Sequence, residues 1–136
     1  MLGADAFYKE YIESRILTFI SCRFEEMCRS YFSLCVKSGK RKGVTNIGTY
    51  YYDDSTTHTN GEFDVVLECR GAYDIYEAKY YARPMPAGEM EEEILQVHRM
   101  KGLIPGNIGF ICISGFESND LPYEQIGGEM LYDLTL

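Results

Sequence analysis

The stretch GEFDVVLECRGAYDIYEAKY, residues 61–80, decides the fold. Glu62 to Cys69 and Ala72 to Tyr80 read as two strands, and Arg70-Gly71 between them is a two-residue turn, so the segment predicts a β-hairpin. If Cys69 pairs with Ala72, counting outward sets Asp64 opposite Glu77 and Glu62 opposite Lys79. Residues two apart share a strand face, so Glu77 and Lys79 project together while Ala78 points away. The hairpin therefore predicts a tight acidic cluster containing one lysine.

Upstream of the hairpin the pattern is helical from about Tyr11 to Val36, where Phe24, Met27, Cys28, Tyr31, Phe32 and Cys35 repeat at core-facing spacing. Lys37 to Gly43 closes that helix with cations and glycines, which suit a helix C-terminus. The basic run Lys37, Lys40, Arg41, Lys42 reads as a solvated helix end, with contact to a phosphate backbone as the alternative. A β-prone run, Thr45 to Tyr52, and a polar loop from Asp53 to Gly61 follow; His58 in that loop is expected to be exposed. Downstream, Ala82 to Gly88 is a connecting loop. Glu89 to Met100 is a helix whose buried side is expected to hold Met90, Ile94 and Val97, with Leu95 and His98 beside them. Ile108 to Ser114 is apolar on both faces and predicts a central strand, and Glu129 to Thr135 predicts a final edge strand. This αβββαβ order with a closing strand implies an α/β fold, a mixed central sheet flanked by helices.

With 136 residues, no internal repeat and no linker, residues 1–136 are expected to form one domain, long enough to bury a core. Residues 1–15 stand out as a flexible leader or a continuation from an absent partner domain. No apolar stretch approaches the roughly 18 residues of a membrane-spanning helix, and the N-terminus lacks a secretory pattern, so a cytoplasmic location without membrane contact is expected. Five cysteines without a C-x-x-C pair argue against a disulfide framework or a zinc knuckle, and predict reduced, small core residues. With two histidines and no evident partner for either, no Ser/His/Asp or Cys/His arrangement suggests itself.

The hairpin acids carry the chemistry. Carboxylates brought this close repel one another, and a divalent metal removes the conflict. Hard oxygen ligands with no His or Cys beside them suit Mg²⁺ or Mn²⁺. Such an ion activates a bound water and stabilises phosphoryl charge while a neighbouring lysine orients or neutralises, which is phosphodiester hydrolysis chemistry. Solvated cross-strand ion pairs are the plain alternative. Helix phase adds a further acid: stepping about 100° per residue from Phe24, Glu25 borders the apolar stripe while Glu26 faces water.

The segments Phe24 to Phe32 (FEEMCRSYF), Gly61 to Val66 (GEFDVV), Tyr76 to Lys79 (YEAK) and Ile113 to Phe116 (ISGF) resemble the PD-(D/E)XK nuclease superfamily. They look most like the nuclease-like domain at the C-terminus of certain archaeal and bacterial AAA-type ATPases. That resemblance implies a restriction-endonuclease-like core and a site of Glu25, Asp64, Glu77 and Lys79, with Glu25, Asp64 and Glu77 holding Mg²⁺ or Mn²⁺. It also implies that Gln96, on the helix after the hairpin, approaches the site as an accessory polar residue; Glu93 and His98 fit that role less well. The proline of the superfamily name is absent, since Glu62-Phe63 precedes Asp64. No G-x-x-x-x-G-K-[ST] occurs, so an ATPase portion is not part of this sequence, leaving an excised domain or a stand-alone relative.

The net charge of −8 weighs against a nucleic-acid partner. It is unevenly spread: residues 1–48 hold eight Lys/Arg against five Asp/Glu, and residues 49–136 hold five against sixteen. Two functions therefore stay open, a metal-dependent nuclease of DNA or RNA, and a catalytically silent regulatory or docking domain that meets an ATPase or another protein through its Tyr-rich, acidic surface.

Overall fold

Cys69 pairs with Ala72, and Gly71 takes φ +76°, the left-handed conformation a two-residue hairpin turn requires. The hairpin so formed consists of β2 (Thr59–Cys69) and β3 (Ala72–Lys79). The structure, a computed structural model, describes residues 3–54, 59–100 and 103–133; His58 lies outside them. β1 (Val44–Asp54) joins β2 antiparallel, while β4 (Pro105–Cys112) and β5 (Glu124–Gly127) continue parallel beyond β3. One mixed five-stranded sheet results, in the order β1-β2-β3-β4-β5.

The chain is helical from Ala4, through α1 (Ala4–Phe7), a π-helical segment (Tyr8–Glu13) and α2 (Ser14–Lys37). α2 lays Phe24, Cys28 and Phe32 on one sheet face, against Val65, Leu67, Tyr76, Ala78 and Ile111. Strand alternation sends the intervening residues to the other face, which α3 (Ala87–Arg99) covers. There Val97 meets Phe63, Val66 and Ile75, and Met90 meets Met85, Phe110 and Cys112. The fold is thus α/β, with a mixed sheet between helices.

Four sequence expectations change. Leu95 and His98 are exposed, because the buried edge of α3 is confined to Met90, Ile94 and Val97. Cys22 is exposed, whereas Cys28, Cys35 and Cys112 are buried; all five thiols are free. The closing strand lies earlier, at Glu124–Gly127, and Gly128–Tyr132 form a short helix, α4. The parallel ladder accounts for this: β4 offers partners from Gly109 to Cys112 and then turns away at Gly115, φ +84°, leaving nothing for residues 129–133 to pair with.

The fourth change is Arg41. Lys37, Lys40 and Lys42 are exposed as expected, but Arg41 folds back over the Phe32 ring, 4.9 Å from its centroid. Its guanidinium donates to the Tyr76 hydroxyl at 2.8 Å and to the Glu124 carboxylate at 2.6 Å, and Tyr76 also donates to Glu124. These bonds join the end of α2 to β3 and β5.

Phe32 is fully buried at the centre of this packing, its ring centroid 4.6 Å from that of Tyr76. Phe32→Ala is expected to cost about 3–5 kcal/mol of folding stability through lost burial and the cavity left behind. Urea unfolding followed by circular dichroism measures it; a loss below about 1 kcal/mol would mean the site collapses freely and the packing described is not tight.

Candidate active site

The β1–β2 ladder slips by one residue between Gly48↔Val66 and Tyr50↔Phe63, so Asp64 and Val65 together face Thr49. Such a bulge releases backbone groups from the ladder and re-aims side chains. The released Asp64 carbonyl accepts hydrogen bonds from the Arg29 guanidinium at 3.0 Å and from the Thr49 hydroxyl at 3.2 Å. Arg29 also donates to Thr49 Oγ1 at 3.3 Å. The face change is visible in the core: Val65 packs under α2, whereas both Phe63 and Val66 pack under α3.

β2–β3 pairing ends at Val65↔Tyr76. The expected extension, with Asp64 opposite Glu77 and Glu62 opposite Lys79, does not form, because the bulge takes Asp64 out of register. Its carboxylate instead accepts a hydrogen bond from the Ala78 backbone amide at 3.3 Å. Asp64 and Glu77 are nonetheless both buried, at 5% and 8% exposure.

The acids fall into two groups around Asp64. Toward α2, Glu25, Glu62 and Asp64 each bring one carboxylate oxygen to within 4.8 Å of the others. Glu25 comes from the edge of the core stripe, next to Phe24, as helix phase predicts. Burial and the charges of Asp64 and Glu62 push its carboxyl from 4.5 up to about 7, against the pull of Arg29. Toward α3, the Lys79 ammonium meets the Glu77 carboxylate at 3.0 Å. Burial raises Glu77 well above the usual carboxylate range, Asp64 adds to the rise and Lys79 opposes it. Burial disfavours the Lys79 charge, but Glu77 and Asp64 outweigh it and hold the ammonium above its ordinary value.

The structure therefore brings Glu25 to Asp64 and Glu77 to Lys79, with the Asp64 charge acting on both groups. Glu77 lies outside the trio of close carboxylates. Gln96 does not join either group; its side-chain oxygen accepts from Arg99 at 2.9 Å. Glu93, one turn earlier on α3, takes part instead: burial raises its carboxyl, Lys79 pulls it down and Asp64 raises it further. Sequence reasoning put Glu62 in the hairpin's acidic cluster but not among the metal ligands, and ranked Glu93 below Gln96 as an accessory residue. Glu62 was signalled by standing two residues before Asp64 on the same strand; Glu93 had only its position three residues before Gln96. The basic run fails to reach the acids, since Lys37 lies twelve residues beyond Glu25 on α2, about 18 Å along the axis.

Among known proteins, the sequence profile of the family DUF234, described as archaea bacterial proteins of unknown function, matches residues 2–93. The matched span includes Glu25, Glu62, Asp64, Glu77, Lys79 and Glu93, and ends before Gln96. No curated protein and no solved structure matches the chain.

Folding raises the Glu25 carboxyl, so its stabilising contribution is full below about 4.5 and is lost as pH rises through about 7. Glu77, also raised, extends the loss to higher pH. In buffer free of divalent ions, the urea midpoint is expected to fall between about pH 5 and about pH 8, and Asp64→Asn to flatten that slope. An unchanged slope in the variant would contradict the role assigned to the Asp64 charge.

Proposed function

The chain belongs to the DUF234 family, and we propose that it is a divalent-metal-dependent phosphodiesterase acting on DNA or RNA, with the PD-(D/E)XK arrangement its sequence resembles. The observation that carries this reading is the position of Asp64, shared between an all-oxygen trio and a carboxylate–lysine pair at one end of the sheet.

The residues present fit a hard cation. Three carboxylate oxygens within 4.8 Å, with Glu25 pushed up to about 7, form a group whose negative charge exceeds what Arg29 offsets. The Cys28 thiol, three residues along α2 from Glu25, is driven up to about 12 by burial and by Asp64, so it does not compete as a thiolate ligand. Glu25, Glu62 and Asp64 would hold Mg²⁺ or Mn²⁺. When bound there, the ion supplies an activated water and charge neutralisation at the phosphoryl group.

The remaining steps belong to the chain's own groups. Lys79 keeps its charge and presents an ammonium, about one third exposed, to a non-bridging phosphate oxygen. Glu77, raised by burial, holds or releases a proton within hydrogen-bond reach of Lys79. The Ala78 amide and the Arg29–Thr49 clamp fix the two ends of Asp64, so its carboxylate is oriented before any ligand arrives.

A silent docking domain is favoured by a different observation. Among the described residues no buried side-chain polar atom lacks a partner, so the buried Asp64 and Glu77 carboxylates are bonded within the chain itself. Calorimetric titration with Mn²⁺ and Mg²⁺, paired with cleavage of labelled single- and double-stranded DNA and RNA, separates the two readings. Binding is expected in the wild type and lost in Asp64→Asn. Lys79→Met should retain the metal but cut at least about 100-fold more slowly, and Gln96→Ala should change neither. No metal binding sinks the nuclease and supports the docking reading; metal binding without cleavage of any substrate removes the phosphodiesterase activity but keeps the cation site.

A further inference from the structure

Strand alternation divides the tyrosines of β1 between the two sheet faces. Tyr50 and Tyr52 turn toward α3, where their rings meet that of Phe63 at 6.1 and 4.9 Å. Tyr51 between them turns to the α2 face, is 74% exposed, and makes no hydrogen bond or ring contact among the described residues. Its cross-strand partner is Glu62. Paired residues stand side by side on one face, so the Tyr51 ring lies beside a member of the carboxylate trio.

A second ring borders the trio from the other direction. Tyr80 follows Lys79 at the end of β3, on the face that Tyr76 and Ala78 turn to α2. Its ring meets that of Phe24 edge-on at 5.4 Å, and Phe24 immediately precedes Glu25. Tyr80 is 49% exposed. Because β2 runs between β1 and β3, its Glu62 and Asp64 are flanked by one open ring from each neighbouring strand. Exposed singly, such rings need no explanation. Two of them on either side of one acidic site, on one sheet face, do.

We propose, on the phosphodiesterase reading above, that the substrate is an unpaired nucleic-acid strand whose bases stack on Tyr51 and Tyr80 while the phosphodiester between them lies over the trio. Stacking uses the neutral face of a base and needs no positive surface, which suits a chain of net charge −8. Duplex bases are already stacked on one another, and a duplex offers its partner chiefly phosphates, which call for many cations. The cations at this end of the sheet are Lys79, paired with Glu77, and Arg29, engaged by the Asp64 carbonyl. An open strand can splay neighbouring bases apart onto separate aromatic rings; a paired one cannot without melting.

Fluorescence anisotropy on the full chain with Ca²⁺, a hard oxygen-seeking cation, tests this with labelled probes of about 12 nucleotides, within the span such sites cover. The probes are open strands of DNA and RNA, a DNA duplex, and an abasic DNA strand with equal phosphates. An open strand is expected to bind at least about tenfold more tightly than the duplex or the abasic strand. Its log–log salt slope should be about −1, the value for one or two phosphates. Tyr51→Ala and Tyr80→Ala should each weaken binding about tenfold, while Tyr51→Phe and Tyr80→Phe should retain it, since stacking uses the ring and not the hydroxyl. All four variants should take up Mn²⁺ like the wild type in calorimetry, which separates a lost ring from a lost cation site. Tyr80 touches Phe24, so circular dichroism checks its variants; Tyr51, outside the core, retains the test if Tyr80→Ala misfolds. Equal binding of duplex or abasic strand, wild-type affinity in Tyr51→Ala, or no binding of any probe overturns the proposal. Cleavage of duplex in that event leaves the phosphodiesterase standing. Self-association lost in Tyr51→Ala, without strand binding, overturns it in favour of a protein partner.

Discussion

The hydrogen bond from Arg29 to the Asp64 carbonyl holds the site together. A bulge leaves backbone groups outside the ladder, and buried backbone groups must be bonded somewhere. Arg29 from α2 and Thr49 from β1 both answer that need, so one carbonyl joins the helix and two strands. Much else follows from it. The slip sends Val65 under α2 and Phe63 under α3, and frees the Asp64 carboxylate to reach both Glu25 and the Ala78 amide. Arg29 also lowers the Glu25 carboxyl, so the same side chain that shapes the bulge offsets some of the charge the bulge gathers.

Elsewhere the fold supplies the stability that such a cluster consumes. Carboxylates raised by burial and by one another are less comfortable folded than unfolded at neutral pH. Next to it on the sheet, a second group is arranged for cohesion, with Arg41, Tyr76 and Glu124 bonding α2, β3 and β5 over the Phe32 ring. Tyr76 is both a member of that network and half of the last hairpin pair before the strands part. Cohesion and electrostatic conflict are thus separated by little more than one residue of β3, Tyr76 against Glu77.

Legibility follows the range of the forces involved. The hairpin was readable because a two-residue turn with glycine at positive φ fixes register locally, and Glu25 was readable because helix phase is a local property. The bulge was not, because nothing near Asp64 in sequence announces it; it depends on Arg29, thirty-five residues away, and on Thr49. Counting register outward from Arg70-Gly71 therefore failed one pair beyond Val65. The supposed closing strand failed for a similar reason: a buried Leu131 between exposed Met130 and Tyr132 mimics alternation, while the decisive fact is where β4 stops. Arg41 was hidden by its basic neighbours, since composition cannot say which of four cations faces an aromatic ring.

Net charge and local geometry together constrain how a phosphodiester would approach. A backbone phosphate brought to the site meets Glu25, Glu62 and Asp64 on one side and Glu77 and Glu93 on the other, with Lys79 and Arg29 as the nearby cations. Arg29 is engaged with the Asp64 carbonyl and Thr49, leaving Lys79 as the cation that can turn outward. One ammonium, itself paired with Glu77, does not outweigh the acids gathered around Asp64, and the basic end of α2 is about 18 Å distant along its axis, beyond roughly two screening lengths at physiological salt. On the proposed reading, the divalent ion must therefore precede the nucleic acid: the trio takes the cation first, and the site becomes attractive to phosphate only afterwards. Binding order is then a consequence of where the acids sit, whichever nucleic acid is cut.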